Sequence, residues 1–368
     1  MTPLAAASGG EAPRHRIRHR PCCAIIPPAV LRHIARKGTA VQREAALATL
    51  ATDSTQRLGR ATAQLLARGT QHAPLAAGAA AQQRTVYDAG HRTTLPGKVV
   101  RNEGDGKSKD IAINEAYDGL GATFDFYWNA YRRNSIDDAG MHLDATVHYG
   151  RKYDNAFWNG AQMVFGDGDG DLFNRFTASL DVIAHELTHG VTGDEVNLVY
   201  LDESGALNES VSDVFGSLVK QCARNETAAK ADWLIGAGLF TSKVNGVALR
   251  SMKAPGMAFD DPVLGKDDQP ATMQGYVQTS ADNGGVHTNS GIPNHAFYLA
   301  AVAIGGHAWE KAGRVWYETL RDKTLRPTAT FVQFADRTIA NADHLFGAAV
   351  RRAVAGAWTE VGVTVTRA

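Results

Sequence analysis

The chain has 368 residues, room for two or three domains with sizeable cores, and its 44% hydrophobic and 21% charged residues match an ordinary globular protein rather than a disordered or fibrous one. Formal net charge is zero, yet residues 1–60 hold ten Lys and Arg against three Asp and Glu, and the remainder 28 against 35. A basic head of this kind suits either an anionic partner or the chain's own acidic body, and the second reading needs neither nucleic acid nor a membrane. Three cysteines, Cys22, Cys23 and Cys222, exclude a disulfide framework. No stretch approaches the ~20 apolar residues of a membrane span. The opening MTPLAAASGGEAPRHRIRHR has no apolar core of the secretory kind, which predicts cytoplasmic synthesis, with export by a non-classical route left open.

In chain order, residues 1–21 are rich in Ala, Gly, Arg and His and carry no pattern of a packed element. Cys22-Cys23-Ala-Ile25-Ile26-Pro27-Pro28 is apolar and extended, because its prolines forbid a helix interior. Helices are predicted over 29–37, ending at Gly38, and over 40–68, followed by a small-residue linker at 69–82 that invites proteolytic nicking. Alternation near 85–88 and 98–101 predicts strands. Tyr117, Leu120, Phe124, Trp128 and Tyr131 mark a helix over 112–132 whose aromatic stripe is core packing. Strands are predicted over 141–149 and 155–165. The GDGDGD run at 166–171 lacks the downstream Glu of an EF-hand and reads as a tight turn. Residues 191–207 read as irregular and 239–287 as mostly loop, with helices over 207–223, 228–238, 289–305, 308–322, 328–341 and 343–355.

Between the two halves lies Asp181-Val-Ile-Ala-His185-Glu186-Leu-Thr-His189-Gly190. On a helix, residues four apart share a face, so His185 and His189 can hold one metal ion. Two imidazoles and an anionic third ligand leave a tetrahedral zinc one open position, and such a site lowers the pKa of bound water to about 7. Glu186, beside the first ligand, is placed as the proton acceptor. A bare H-E-x-x-H also describes a surface helix with two solvated histidines. The next helical stretch decides between the two: Gly205-Ala-Leu-Asn-Glu209-Ser-Val-Ser-Asp213 offers Glu209 as third ligand after one reversal of the chain. Asp213, one turn on, can accept the N–H of a ligating imidazole.

The stretches NAFWNGAQMVFGDGDG, HELTH, GALNESVSD, RSM and DNGGVHTNSG, in this order over residues 84–368, resemble the thermolysin family of zinc metallopeptidases. The PCCAIIPPAVLRHIARKG head is similar to the short pro-segment of the protealysin-type branch. The resemblance implies an α+β, two-lobed fold: a pro-segment (1–68), a linker (69–83), a β-rich lobe with the HELTH helix (84–204) and a helical lobe (205–368), with zinc in the cleft. It assigns His185, His189 and Glu209 to one catalytic zinc, Glu186 as general base, and Asp213 as orienter of a zinc histidine. Tyr200 and His287 become donors to the oxyanion, with Asp282 orienting His287. Asn155, Ala156 and Arg250 hold substrate backbone. Phe173, Phe176, Val182, Ile235 and Leu249 line the pocket for the residue after the cut, implying cleavage before bulky apolar residues. The expected partners are peptide or protein substrates and the chain's own head, in a monomer.

Two features depart from or extend the family pattern. The family's double calcium site is expected to be absent. Asp181 and Asp232 match it, but Lys220, Leu234 and Ala237 stand where acids belong, and an ammonium is a poor neighbour for two calcium ions. Calcium at single sites stays open, and Lys220 is the candidate partner of Asp181. In the head, Ile25, Ile26, Pro27 and Pro28 suit a segment lying across the groove. Cys22 or Cys23 either lends a thiolate to zinc or makes small apolar contacts. Activation is expected from a cut within 50–82, made by the enzyme itself. Two other readings remain: a zinc aminopeptidase, which needs an acidic site for a free amine that no Gly-x-Met-Glu-Asn-type motif supplies, and a binding protein that recruits an anionic partner through its head.

Overall fold

The computed structural model describes residues 23–66 and 81–366. Its head contributes a short strand β1 (Cys23–Ala24) and two helices, α1 (Pro28–Lys37) and α2 (Ala40–Leu66). Pro28 opens α1 at a position where its missing N–H is not needed, and Gly38 stops it. Most of the expected linker and residues 67–80 of the stretch expected to be cut lie outside the described residues, as does Cys22.

The body opens with β2 (Arg84–Asp88), β3 (Lys98–Asn102), α3 (Ile111–Tyr131), β4 (Leu143–Val147), β5 (Ala156–Trp158) and β6 (Gln162–Phe165). With β1 they form one six-stranded sheet in the order β1-β5-β6-β4-β2-β3, parallel at β2–β4 and β4–β6 and antiparallel elsewhere. The head therefore supplies an edge strand, pairing Cys23 with Trp158 and Ala24 with Phe157. The α3 stripe is core, as its spacing predicts: Tyr117, Leu120, Phe124 and Tyr131 are buried and Trp128 packs against them.

α4 (Leu180–Asp194) and α5 (Asp202–Ala223) follow and lie side by side at the centre of the molecule. Every residue from Asp181 to Thr192 is buried, since α4 meets the sheet on one side and α5 on the other. Their contact is backbone-close: a Cβ on Gly216 would stand 2.5 Å from the Asp181 carbonyl oxygen, so only glycine fits there. Short strands β7 (Leu234–Ile235) and β8 (Arg250–Ser251) form one pair, and β9 (Asp260–Asp261) and β10 (Gly265–Lys266) another. Helices α6 (Asp282–Asn289), α7 (Gly291–Ile304), α8 (Ala312–Arg321), α9 (Phe331–Phe346) and α10 (Ala348–Glu360) complete the helical lobe, and α6 to α9 pack on α5.

Three expectations are corrected. Residues 155–165 are two antiparallel strands, because the Asn159 side chain accepts the N–H groups of Ala161 and Gln162 and closes a turn there. Residues 228–238 are not a helix. Trp233 takes a left-handed backbone and donates its indole N–H to the Ala228 carbonyl, while Leu234 and Ile235 pair with β8. Finally, α5 begins five residues before the expected 207, so the lobe boundary expected at 204/205 falls inside its first turn. The GDGDGD run is the tight turn expected, with Asp169 Oδ1 accepting the N–H groups of Asp171, Leu172 and Phe173.

Candidate active site

His185 and His189 project from one face of α4, their Nε2 atoms 3.1 Å apart. Each ring's other nitrogen is committed: His185 Nδ1 donates to Asp213 Oδ1 at 2.8 Å and His189 Nδ1 to Asn208 Oδ1 at 2.8 Å. With both Nδ1 atoms donating, the two Nε2 atoms face one another, where a metal ion would take the place of a proton. Glu209 on α5 closes the triangle, its Oε2 3.5 Å from His185 Nε2 and its Oε1 3.6 Å from His189 Nε2. Ligands about 2.0–2.1 Å from a tetrahedral zinc stand about 3.3 Å from each other, so these three separations fit one zinc. Glu209 Oε2 is buried and makes no hydrogen bond, the orphaned acceptor a cation would satisfy. Among the described residues, this is the group of three or more His, Cys, Asp and Glu able to hold a metal.

The electrostatics agree. Burial pushes the His185 imidazolium down, and Asp213 and Glu209 outweigh it, raising its pKa to about 9. Burial works against the Glu209 anion, and His287, His189 and His185 hold it well below the usual carboxylate range all the same. The cluster thus favours positive charge at its centre.

Asp213 does more than orient His185. It accepts Arg250 through two parallel bonds, Nε to Oδ2 at 2.8 Å and Nη2 to Oδ1 at 2.7 Å, and Asn294 Nδ2 at 2.8 Å. Arg250 reaches it because the β7–β8 pair sets Arg250 opposite Ile235. Its remaining Nη1 donates to the Ile25 carbonyl of the head at 3.1 Å.

On the far side stands His287, carried by α6. Asp282, Asn283, Gly284 and Gly285 all have positive φ, and a Cβ on Gly284 would lie 2.1 Å from Asp202 Oδ1. That tight entry turns Asp282 back so that its Oδ2 accepts His287 Nδ1 at 2.8 Å and the His287 backbone N–H at 3.2 Å. His287 Nε2 donates to the Ala24 carbonyl oxygen at 3.1 Å. With both nitrogens donating, the ring is an imidazolium. Burial pushes its pKa down, and Asp282 and Glu209 outweigh that and raise it. Tyr200 Oη is 3.4 Å from His287 Nε2 and donates to Glu209 Oε1.

Glu186 is wholly buried and its Oε2 accepts the Trp158 N–H at 3.1 Å, which sets it beneath the strand that pairs with β1. Asn155 Oδ1 accepts the Ile26 N–H at 2.9 Å, and the Ala156 carbonyl accepts the Ile25 N–H at 3.2 Å. Phe173, Phe176, Val182, Ile235 and Leu249 are buried in one core with Ile25 and Ile26. The backbone of Ile25 and Ile26 thus meets Arg250, Asn155 and Ala156, and Pro28 opens α1 just beyond. The thiolate expectation for Cys22 and Cys23 rests on side chains outside the described residues.

Sequence reasoning missed Asn208, Asn294 and Asp53. Asn208 directly precedes the third ligand, and Asn294 interrupts an otherwise apolar helical run, a signal of a buried polar partner. Asp53, in α2, accepts Tyr153 Oη at 2.7 Å and Asn155 Nδ2 at 2.8 Å and had no signal beyond being an acid in an Ala-rich helix.

The family model for the thermolysin metallopeptidase catalytic domain matches residues 66–193, and that for its alpha-helical domain matches residues 196–363. An extracellular metalloprotease of Pectobacterium carotovorum subsp. carotovorum is 53% identical over 349 residues, 95% of this chain and 99% of that one. A thermolysin of Alicyclobacillus acidocaldarius subsp. acidocaldarius is 41% identical over 289 residues, 75% of this chain and 50% of its own longer one. Among solved structures, the precursor of protealysin, a metalloproteinase of Serratia proteamaculans, aligns with a TM-score of 0.85 at 54% identity, over 93% of this chain and all of that one. With both lobes matched and the metal triangle between them, the chain belongs to the thermolysin family of metallopeptidases, in its protealysin-type branch.

Proposed function

We propose that this metallopeptidase is a zinc endopeptidase in its precursor form, which hydrolyses peptide bonds on the N-terminal side of bulky apolar residues. The observation that carries the reading is the path of the head. Its backbone runs through the cleft in both directions from the metal triangle, with the Ala24 carbonyl on His287, the Ile25 carbonyl on Arg250 and the Ile26 N–H on Asn155. A site that holds peptide backbone on both sides of the reacting position suits internal bonds; an aminopeptidase needs a wall where β1 passes.

His185, His189 and Glu209 would hold zinc, which when bound supplies a Lewis acid and an acidified water. The chain's own residues do the rest. Arg250, Asn155 and Ala156 fix the substrate backbone, and Ile25 stands in for the apolar residue after the cut, among Phe173, Phe176, Val182, Ile235 and Leu249. Glu186 takes the proton of the attacking water and returns it to the leaving amine. The His287 imidazolium and Tyr200 donate to the oxygen on which negative charge develops. Activation follows a cut by the enzyme itself within 50–82.

The test is mass spectrometry of an N-blocked peptide carrying one internal Leu or Phe, incubated with the zinc-loaded protein and its Glu186→Ala variant. Wild type is expected to cut before the Leu or Phe after losing its head, and the variant to leave both peptide and head whole. Equal cutting by both proteins would refute the role given to Glu186, and cutting that requires a free N-terminus would refute the endopeptidase.

A further inference from the structure

We propose that the peptide bond between Ala24 and Ile25 is itself a cleavage site of the precursor, cut within the same molecule before activation, and that residues from Ile25 onward stay bound as a tethered product. This rests on the endopeptidase reading of the cleft and goes beyond it, because it names a bond that an inhibitory segment is expected to protect.

The register singles out that bond. His287 Nε2 contacts the Ala24 carbonyl oxygen at 3.1 Å and also stands 3.5 Å from Glu209 Oε2, so the Ala24 carbonyl is the head's carbonyl at the metal triangle. The next carbonyl, of Ile25, has already passed to Arg250. The Ile25 N–H, on the leaving side, points to the Ala156 carbonyl, and the Ile26 N–H to Asn155 Oδ1. Glu186 receives the N–H of Trp158, the residue paired with Cys23, which brings its carboxylate within a residue of the same bond. Ile25 is wholly buried and belongs to the same continuous apolar core as Phe173, Phe176, Val182, Ile235 and Leu249, the residues expected to recognise the residue after the cut. The prolines that protect the segment come later, at 27 and 28, and leave this bond an ordinary amide.

The step needs only water. Its oxygen bonds to the Ala24 carbonyl carbon, Glu186 carries its two protons in turn to the Ile25 nitrogen, and the C–N bond breaks, leaving a carboxylate on Ala24 and an ammonium on Ile25. The two products are held unequally. On the Ala24 side, the described residues show the two-residue pairing of β1 with β5, Ala24 in a small cluster with Tyr149, Tyr153 and Phe157, and the Ala24 carbonyl on His287. On the Ile25 side, Ile25, Ile26, Leu31, Ile34 and Ala46 are fully buried, and Thr49 and Asp53 bond to Asp154, Tyr153 and Asn155. The cut therefore leaves the cleft blocked by the residues from Ile25 onward.

The full-length, zinc-loaded chain is followed by intact mass and N-terminal sequencing at two concentrations a hundredfold apart, with an N-blocked apolar peptide as a parallel reporter. A fragment starting at Ile25 is expected, appearing at the same first-order rate at both concentrations and before peptide hydrolysis rises. In the metal-free Glu186→Gln chain, hydrogen exchange is expected to find the Ile25 and Ile26 amides protected. A protein that cuts the peptide while the 24–25 bond stays intact overturns the proposal alone, as does a 24–25 cut whose rate scales with concentration. Unprotected Ile25 and Ile26 amides also overturn it, because the register is then wrong. A chain inert toward both its head and the peptide overturns the endopeptidase reading and this proposal with it.

Discussion

Asp213 is wholly buried and shares its two oxygens among His185, Asn294 and both faces of the Arg250 fork. Burial opposes its charge, and Arg250 and His185 overcome that and hold the carboxyl well below its ordinary range. One side chain thus ties a metal ligand to the arginine that grips peptide backbone. Asp213→Ala removes the acceptor that fixes the His185 ring, which is expected to lower zinc affinity about 10–100-fold in competition with a chromogenic chelator. It also leaves Arg250 buried without its partner, at about 3–5 kcal/mol of stability in urea titration. Asp213→Asn keeps the volume and is expected to lose less stability. A variant with wild-type zinc affinity would show that His185 needs no such orientation. Because the folded pKa is depressed, the stabilisation is present above the ordinary carboxylate pKa and is lost as pH falls through the depressed value. The facing of His185 and His189 was legible in the sequence because helical spacing alone puts residues four apart on one face. The Arg250–Asp213 fork was not, because it depends on a pair of two-residue strands 37 positions away that carry no periodicity.

Two polar ties hold elements together away from the site, and each gives a test. His148 bridges Asp110, which caps α3, and Asp167, in the turn after β6, at 2.9 Å to each. The bond to Asp167 is the chief cause of its raised pKa; burial opposes it, Asp110 adds to it, and the value reaches about 9. A pKa raised in the folded state stabilises fully below the ordinary value of 6.5, and that stability is lost as pH rises through about 9. Thermal unfolding is therefore expected to weaken between pH 6.5 and 9 by at most about 3 kcal/mol, and His148→Gln to flatten that limb. An unchanged limb in the variant would place the titration elsewhere. At the other end of α4, Lys220 Nζ meets Asp181 at 2.9 Å, Asp232 at 2.7 Å and the Leu234 carbonyl at 2.6 Å. The ammonium supplies the positive charge that two nearby carboxylates require. Calcium is accordingly expected not to bind at Asp181, so any shift of the melting temperature on adding calcium is expected to be the same in wild type and in an Asp181→Asn variant. Lys220→Met is expected to cost about 3–5 kcal/mol by stranding Asp181. A calcium-induced rise in the wild-type melt that Asp181→Asn abolishes would count against this account. The amphipathic helices were legible, since their apolar stripes are set by burial on one side. The stretches over 155–165 and 228–238 were misread because a side chain closing a turn, Asn159 in one and Trp233 in the other, outweighs an apolar run that fits either period.

Across the whole molecule, the head completes the body's sheet and core. β1 extends the sheet at β5, and Ile25, Ile26, Leu31 and Ile34 are counted in the same buried core as α4 and α5. That a basic, proline-bearing head lies in the cleft was legible from its composition and its likeness to a pro-segment. That α2 anchors it was not, because Asp53 finds its partners about a hundred residues away in a segment whose pattern promises only a helix. Asp53 is 2% exposed, and while one oxygen accepts Tyr153 Oη the other accepts Asn155 Nδ2, which turns that amide so that Oδ1 is left facing the Ile26 N–H. Hydrogen bonds to a charged group contribute about 1.5–3 kcal/mol each. Asp53→Ala is therefore expected to weaken closure by at least about 1.5–3 kcal/mol, which at 1.4 kcal/mol per decade is about a 10–100-fold shift toward the open cleft. The reading is the initial rate at which uncut, full-length protein hydrolyses an N-blocked apolar peptide. That rate is expected to rise by the same factor, while enzyme freed of its head, identical in both proteins, keeps one value of kcat/KM. If the uncut variant is as silent as wild type, then α2 is a passenger, and the four residues from Ile25 to Pro28 hold the cleft shut by themselves.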